Sequence, residues 1–572
     1  MLKNVTDRIR ITPLKDPFAL MLDKAPAKHR IRHLLAKEPD MEKHGYGDLK
    51  MSYIQTPSAV FDLPRTIPDR IRELAKANPD KMAFVFRQAG QPRDTLTRKQ
   101  VADKSDWLAR HFVRDGIRAG DKVAILVDTP TNWTITYFGI NMTGGTVINS
   151  PSFDEKEFTK IAKGIGCVAT VTELNQSKEN LCKAHHRSVI LTTFQDHKDK
   201  ITTFDLFGLT EDNQVPDVDL PEVHADDEAM MVLTSGSSGM PKLVVHTHAS
   251  ILAGAYSVGD FCELEEDTIV ANDRPMSWMG GQPIMYLGIG LTTVYIKAKV
   301  NSESDDEFFV NVLSSERPDA ALLMEYRLNS LQRRPDLLNR MPFLSTSLAT
   351  GQRVSAKFVD SLLRVSESVA SAYGSSESGY PCSGCEVRVV DEKGEVVYVE
   401  TQGELCLCGP ACAKAYVYLD GSRAPIVDED GWYHTGDVAL IHQDGRIVII
   451  GRKTEMLKRV SVKIFPSFVE RKIQENFEEI EEVVVVGVDD DILHQEICAC
   501  ITLTPDARIT TEDIKRRVED IFRPSLAPDG LGYMPGHFLL MDSSPKTTSG
   551  KCDRLSLTKM GEEIIKGKTQ KS

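Results

Sequence analysis

The chain has 572 residues, a formal net charge of -14, 41% hydrophobic residues and 27% charged residues. That length exceeds what one hydrophobic core usually supports, so two or more domains are expected. The composition is that of a soluble globular protein; the acidic balance argues against an extended nucleic-acid surface, and no apolar run approaches the ~20 residues of a membrane span.

Residues 1–50 mix eleven Lys and Arg with seven Asp and Glu, with Asp7, Asp16 and Asp23 early, unlike an acid-poor mitochondrial presequence. No secretory signal is visible, so a cytoplasmic protein with reduced thiols is expected. From Thr66 a helix is predicted through Ala77: Ile67, Ile71, Leu74 and Ala75 recur at helical spacing, and Asn78-Pro79 ends the run. Val123 to Val127 reads as a buried strand, and Trp133 to Met142 as a helix broken by Gly144-Gly145. Strand, helix and strand in that order predict a parallel sheet covered on both faces.

Behind the apolar run Met230 to Leu233 comes Thr234, Ser235, Gly236, Ser237, Ser238, Gly239, Met240, Pro241 and Lys242. This stretch reads as a phosphate cradle. Gly236 and Gly239 can take positive φ, and four hydroxyls and the Lys242 ammonium supply donors and charge. It is not a Walker loop, which needs Lys directly after its second glycine, whereas Lys242 stands three positions after Gly239. Farther on, Gly403 to Gly409 reads as a strand whose Cys406 and Cys408 share one face as small apolar residues. That reading is preferred to a zinc site built with Cys382, Cys385 and Cys412. A helix over about 467–477 and strands at Val483 to Val486 and Ile497 to Leu503 make a smaller C-terminal unit.

Five motifs follow one another: Thr234 to Lys242, Tyr373-Gly374-Ser375-Ser376-Glu377, Tyr433 to Asp437, Gly451 to Lys458, and Pro545 to Lys551. In kind and order they resemble the signatures of the adenylate-forming superfamily: acyl-CoA synthetases, beetle luciferases and the adenylation domains of peptide synthetases. The resemblance covers about residue 55 to the C-terminus. It implies an α/β N-terminal region of stacked subdomains (51–452), a hinge (453–456) and a small, mobile α+β C-terminal lid (457–572), with 1–50 as an extension.

The resemblance also implies ATP, Mg²⁺ and CoA as reactants and assigns roles to residues. The Thr234 to Lys242 loop would hold the β- and γ-phosphates. Glu377 would offer the hard oxygen ligand that Mg²⁺ prefers, with Ser376 where the family usually has Thr. Tyr373 would stack on adenine, and Gly351, Gln352 and Arg353 occupy the adenine loop. Asp437 would clamp the ribose, with Arg452 facing the nucleotide. Lys551 would stabilise the adenylating transition state, and Glu455 and Lys458 match the hinge acid and the lysine after it. In the segment Arg274 to Gln282, Trp278, Gly280 and Gly281 take the place of the acyl-tunnel wall, and its glycines and methionines suit a fatty or aryl carboxylate. The family's usual glycines are replaced by Leu243 and Ser461, and small residues by Gln352 and Arg353. The first reading is therefore an acyl-CoA synthetase whose partners are small molecules. An adenylate-forming enzyme with another acyl acceptor and a nucleotide-binding relative without turnover stand beside it.

Overall fold

In the strand Glu228–Thr234, Met230 and Val232 pack into one core cluster and Met231 and Leu233 into another. A strand apolar on both faces must be covered on both. That requirement repeats through the first of the two units of this computed structural model, built around Ile54–Val387 and Leu407–Tyr433; the second is built around Arg388–Cys406 and His434–Ser572. The hinge expected at 453–456 lies inside the second unit. The structure describes residues 9–11, 51–55, 66–149, 161, 164–173, 188–193, 201–205, 215–234, 242–298, 303–350, 356–379, 384–443, 445–459, 462–490, 492–504, 507–523, 532–545 and 552–569.

The first unit holds a nine-stranded and an eight-stranded sheet. In the nine-stranded sheet Glu228–Thr234, Thr146–Asn149, Lys122–Leu126 and Cys167–Glu173 run parallel, as the strand and helix order predicted. Its flanks are antiparallel: Lys242–Thr247, Ala415–Tyr418 and Arg423–Pro425 on one side, Ser188–Thr193 and Ile201–Asp205 on the other. The sequence reading had not foreseen these flanks. Glu228–Thr234 and Lys242–Thr247 are joined by residues 235–241 alone, too few for the crossover a parallel pair needs. The eight-stranded sheet is parallel except for Asp94–Thr97.

A layer of helices fills the space between these sheets. One cluster joins Val123 and Val147 of the first sheet to Phe84 and Tyr295 of the second through Ile71, Leu108 and Phe138 of the helices Ile67–Ala77, Arg98–Arg114 and Pro130–Met142. Each such side chain contributes about 1.5–3 kcal/mol by leaving water. Pro130–Met142 is buried from Thr131 to Met142, so it lacks a polar stripe and carries no charged residue. Ile67–Ala77 begins where predicted: the Thr66 hydroxyl caps the Asp69 N–H, Pro68 sits in the first turn and Asn78 closes the helix. His248–Phe261 and Ile284–Ile289 touch closely at Gly288, where an added Cβ would lie 2.3 Å from the Ala255 carbonyl oxygen. Backbone cannot yield there, so Gly288→Ala would push the two helices apart.

The second unit begins with a five-stranded sheet that includes Gly403–Cys408, Tyr433–Ile441 and Ile447–Arg452. A short hairpin of Leu457–Arg459 and Val462–Ile464 leads to a three-stranded sheet of Ile480–Asp490, His494–Leu503 and His537–Met541. Val483, Val485 and Ile497 face the helices Pro466–Gln474 and Thr511–Phe522, while Val484, Val486 and Cys498 pack with Leu557 of the helix Arg554–Thr569. This is the small α+β unit expected, with its elements a few residues longer or shorter than the sequence suggested.

Candidate active site

The antiparallel flank of the nine-stranded sheet sets the charged residues of the first unit. Lys242 opens its strand opposite Thr234, whose hydroxyl donates to the Lys242 carbonyl at 3.3 Å. On the other side Val244 pairs with Tyr416, so Lys242 and Tyr416 are diagonal neighbours on one face. The Lys242 ammonium sits 3.5 Å from the centroid of the Tyr416 ring and 3.6 Å from Glu377 Oε1. The Tyr416 hydroxyl donates to that same Oε1 at 3.2 Å. Burial, reinforced by the Glu377 charge, raises the Tyr416 pKa well above the usual phenol value, so Tyr416 remains a donor. A cation, a ring face and a carboxylate thus meet at the end of the hydroxyl- and glycine-rich stretch, whose residues 235–241 lie outside the described residues.

Glu377 is held from its backbone outward. Ser375 and Ser378 bond reciprocally, each backbone N–H to the other's hydroxyl at 3.1 Å, and Gly379 closes the turn with φ of 58°. The Ala413 N–H donates to the Glu377 carbonyl at 2.7 Å. Below it, His246 Nε2 lies 2.7 Å from the Ser376 carbonyl oxygen and His246 Nδ1 3.2 Å from the Ser250 hydroxyl. His246 is buried, and desolvation lowers its pKa, so the imidazole is neutral. A carbonyl can only accept, which puts the proton on Nε2. Sequence reasoning missed both Tyr416 and His246. No local pattern in the strands Lys242–Thr247 and Ala415–Tyr418 marks either of them.

Met279–Gly281 forms a single 3₁₀ turn. An added Cβ on Gly281 would fall 1.8 Å from the Pro275 carbonyl oxygen, so the turn admits only glycine there. Asn272 fixes the turn, donating to the Gly280 carbonyl at 2.8 Å while accepting from the Arg274 N–H at 3.0 Å. The buried Arg274 reaches the Thr350 carbonyl at 2.9 Å. Gly280, Asn272 and Thr350 line a small pocket with a cavity volume of about 20 Å³. Gln282 and Thr293 also line it, against apolar walls that include Ile284 and Leu348. The half-buried Trp278 is not among its lining residues. Gly351, Gln352 and Arg353 lie outside the described residues, directly after Thr350.

In the second unit Asp437 and Arg452 are partners across antiparallel strands, with Arg452 Nε 2.7 Å from Asp437 Oδ1. Gly436, at φ of 71°, turns the chain so that its N–H reaches Glu404 and the Asp437 N–H reaches the Thr435 hydroxyl at 3.0 Å. Thr435 is anchored in turn on the Leu405 carbonyl at 2.8 Å. Asp437 is buried while Arg452 is half-buried, so the carboxylate is held by the guanidinium and has a protected approach. Glu455 lies in the turn Lys453–Glu455, 3.5 Å from Arg554, which also contacts Glu470 at 2.8 Å. Lys458 is exposed, its backbone N–H on Gln495 at 2.8 Å. Ser461 and Lys551 lie outside the described residues.

Tyr373 and Gly374 follow the strand Ser366–Ala372 directly, and Ser375 and Ser376 lead into the turn that carries Glu377. Cys406 is buried and Cys408 half-buried in the strand Gly403–Cys408, with the Cys406 sulfur 3.4 Å from His434 Nδ1. No helix among the described residues is long and apolar enough to cross a membrane.

The family described as AMP-binding enzyme matches residues 71–383, and the AMP-binding enzyme C-terminal domain matches 472–551. The chain is 24% identical over 502 residues to 4-coumarate--CoA ligase 3 of Arabidopsis thaliana, covering 79% of this chain and 84% of that one. It is 25% identical over 525 residues to bacitracin synthase 2 of Bacillus licheniformis, covering 86% of this chain but 18% of that far longer one. Among solved structures, an anthranilate CoA ligase in complex with anthranoyl-AMP superposes with a TM-score of 0.71 at 18% identity, over 88% of this chain and 99% of its own.

Proposed function

The chain belongs to the AMP-binding enzyme family and has the adenylate-forming fold, and from that premise we infer that it is an ATP-dependent acyl-CoA synthetase. It would join a fatty or aryl carboxylate to AMP with loss of pyrophosphate, then pass the acyl group to the thiol of CoA. The observation that carries this reading is the cluster of Lys242, Tyr416 and Glu377 at the end of the hydroxyl- and glycine-rich stretch. A polyanion and its cation need such a pairing of opposite charges, set side by side on a rigid sheet.

On this reading Thr234 and residues 235–239, with Lys242, bind the β- and γ-phosphates. Glu377 is a hard oxygen donor on a fixed turn, which fits Mg²⁺, an ion usually held by one or two carboxylates together with substrate phosphates. Mg²⁺, when bound, would neutralise phosphate charge. Tyr373 stacks on adenine beside Gly351, Gln352 and Arg353, and Asp437 accepts from the ribose hydroxyls while Arg452 keeps its carboxylate oriented. Lys551 stabilises the charge that develops between carboxylate and α-phosphate. Rotation about the hinge near Glu455 then presents the face that carries Lys458 for thioester formation. Trp278, Gly280 and Gly281 position the acyl group. The nine described cysteines are free thiols, which suits the reducing cytoplasm.

A second reading is favoured by the similarity to a peptide synthetase: adenylation followed by transfer to an acceptor other than CoA. Pyrophosphate release over a panel of carboxylates, with thioester formation read with and without CoA, separates the two. Release with an acid, followed by CoA-dependent thioester, supports the synthetase; release with no thioester favours the other acceptor. No release with any acid overturns both.

A further inference from the structure

A two-stranded hairpin is marginal on its own, so the hairpin of Leu457–Arg459 and Val462–Ile464 depends on what grips it. Alternation along the first strand turns Leu457 and Arg459 inward and Lys458 outward: the first two are buried, at 7% exposure each, and Lys458 is exposed. Two consecutive residues at the start of the strand His494–Leu503 take hold of it. Gln495 Oε1 accepts the Lys458 N–H at 2.8 Å, and Arg459 Nη2 donates to Glu496 Oε2 at 2.5 Å. The same guanidinium donates to the carbonyls of Gly532 and Met534, at 3.3 Å each. Glu496 is itself fixed: its Oε1 accepts the Ile497 N–H at 2.6 Å, and Gly536 passes so close that an added Cβ would lie 2.7 Å from Oε2. A buried ion pair is a poor source of stability, since an apolar pair of similar volume often does as well or better. What this one supplies is direction, because a planar fork aimed at three fixed acceptors holds the strand in one place and one register.

We propose that Arg459 and Glu496 are positioning residues for the acyl-transfer step: they set Lys458 where the acceptor thiol meets the acyl-adenylate. This rests on the acyl-CoA synthetase reading, in which the exposed face of the hairpin serves thioester formation. In that step the CoA thiol loses its proton to solvent and its sulfur bonds to the acyl carbonyl carbon. The bond from that carbon to the AMP oxygen breaks, and its electron pair leaves on the phosphate. Arg459 and Glu496 are buried within the unit, so they act through the backbone that carries Lys458 rather than on the reacting atoms. A displacement of about 1 Å in a positioned group can cost about 100-fold in rate. Formation of the acyl-adenylate makes no use of this hairpin face, so it escapes the effect.

The test uses the full chain, with aryl and straight-chain acids from benzoate and 4-coumarate to dodecanoate, and the synthetic acyl-adenylate of the acid that reacts fastest. Acid-dependent exchange of pyrophosphate into ATP reads the first half-reaction, and thioester formed in one turnover from acyl-adenylate and CoA reads the second. Arg459→Met should slow the second by about 10- to 100-fold and leave the first within about twofold of the wild type. Arg459→Lys keeps the charge but loses the fork, and should recover part of that loss. Arg459→Met leaves Glu496 buried without its counter-charge, so the double variant Arg459→Met/Glu496→Leu controls for folding: its melt should return toward that of the wild type while thioester formation stays low. In a Lys458→Ala background Arg459→Met should cost less than about twofold more, because the residue it positions is gone. Equal losses in the two half-reactions, recovery of thioester formation in the double variant, or full additivity with Lys458→Ala overturns the proposal. Failure of the synthetase reading shows in the wild type instead, as no exchange with any acid or exchange without thioester, and takes the proposal with it.

Discussion

Two acid and base pairs, one in each unit, make a useful contrast. In the first unit Lys242 stands 3.6 Å from Glu377, with both side chains partly exposed and the Tyr416 ring under the ammonium. In the second, Arg452 Nε lies 2.7 Å from Asp437 Oδ1, fixed by the register of two antiparallel strands. The first contact is electrostatic and loose, so its charges can turn to an incoming anion and cation at low cost. The second is a charge-assisted hydrogen bond that orients a buried carboxylate. The difference teaches that one pair is set for exchange of partners and the other for holding still.

The largest effect should come from breaking the loose pair. Glu377→Gln keeps the shape of the side chain and removes its charge, and adenylation should fall about 100- to 1000-fold, the loss typical of one preorganised electrostatic group. Its melting temperature should stay close to that of the wild type, because neither partner is fully buried. A fall below about tenfold in pyrophosphate release would show that Glu377 is only a surface partner of Lys242.

The first unit also buries histidines that stay neutral, and pH should expose that. His248 is fully buried, accepts the Ile67 N–H on Nδ1 at 3.3 Å, and has its pKa lowered from 6.5 to about 4 by desolvation. The unfolded chain therefore takes up this proton first as pH falls. The stability involved is complete above about 6.5 and is lost on the way down to about 4, amounting to about 3 kcal/mol at most. His248→Asn retains an acceptor but cannot titrate. Its urea midpoint should be flatter than that of the wild type across this window, and parallel curves would remove His248 as the cause.

Next in size is the tight pair. Asp437→Asn should raise the KM for ATP about 10- to 100-fold, the range for a hydrogen bond to a charged group, with a smaller change in kcat. A fall in kcat alone would move Asp437 from nucleotide binding to the chemical step.

The sequence made one side of this contrast more legible than the other. Glu377, Asp437 and Arg452 sit in short contiguous motifs, where residue type and spacing along the chain suffice. The helix from Thr66 was readable from its cap and period, and the buried strands from runs apolar on both faces. Tyr416 and His246 were not readable. Tyr416 reaches Glu377 only through the pairing of Ala415–Tyr418 with Lys242–Thr247, strands about 170 residues apart, and no local pattern encodes that register. The antiparallel flanks escaped for the same reason.

The smallest effect belongs to the hydroxyl that links the members of the loose pair. Tyr416 does two things: its ring lies 3.5 Å from the Lys242 ammonium, and its hydroxyl donates to Glu377 Oε1 at 3.2 Å. Tyr416→Phe removes the second and keeps the first, and a partly exposed hydrogen bond to a carboxylate falls at the low end of the range for charged groups, about 1.5 kcal/mol, so pyrophosphate release should slow by only about tenfold. Tyr416→Ala also removes the ring, and with it a cation-π contact of the order of 0.5–2 kcal/mol, so it should cost clearly more than Phe. That ranking follows from a carboxylate held by its own turn, through Ser375, Ser378 and Ala413, rather than by the phenol. If Tyr416→Phe were as damaging as Glu377→Gln, the hydroxyl would be the clamp on the carboxylate. The pair in the first unit would then be as fixed as that of Asp437 and Arg452, and the contrast between an exchanging and a static pair would fail.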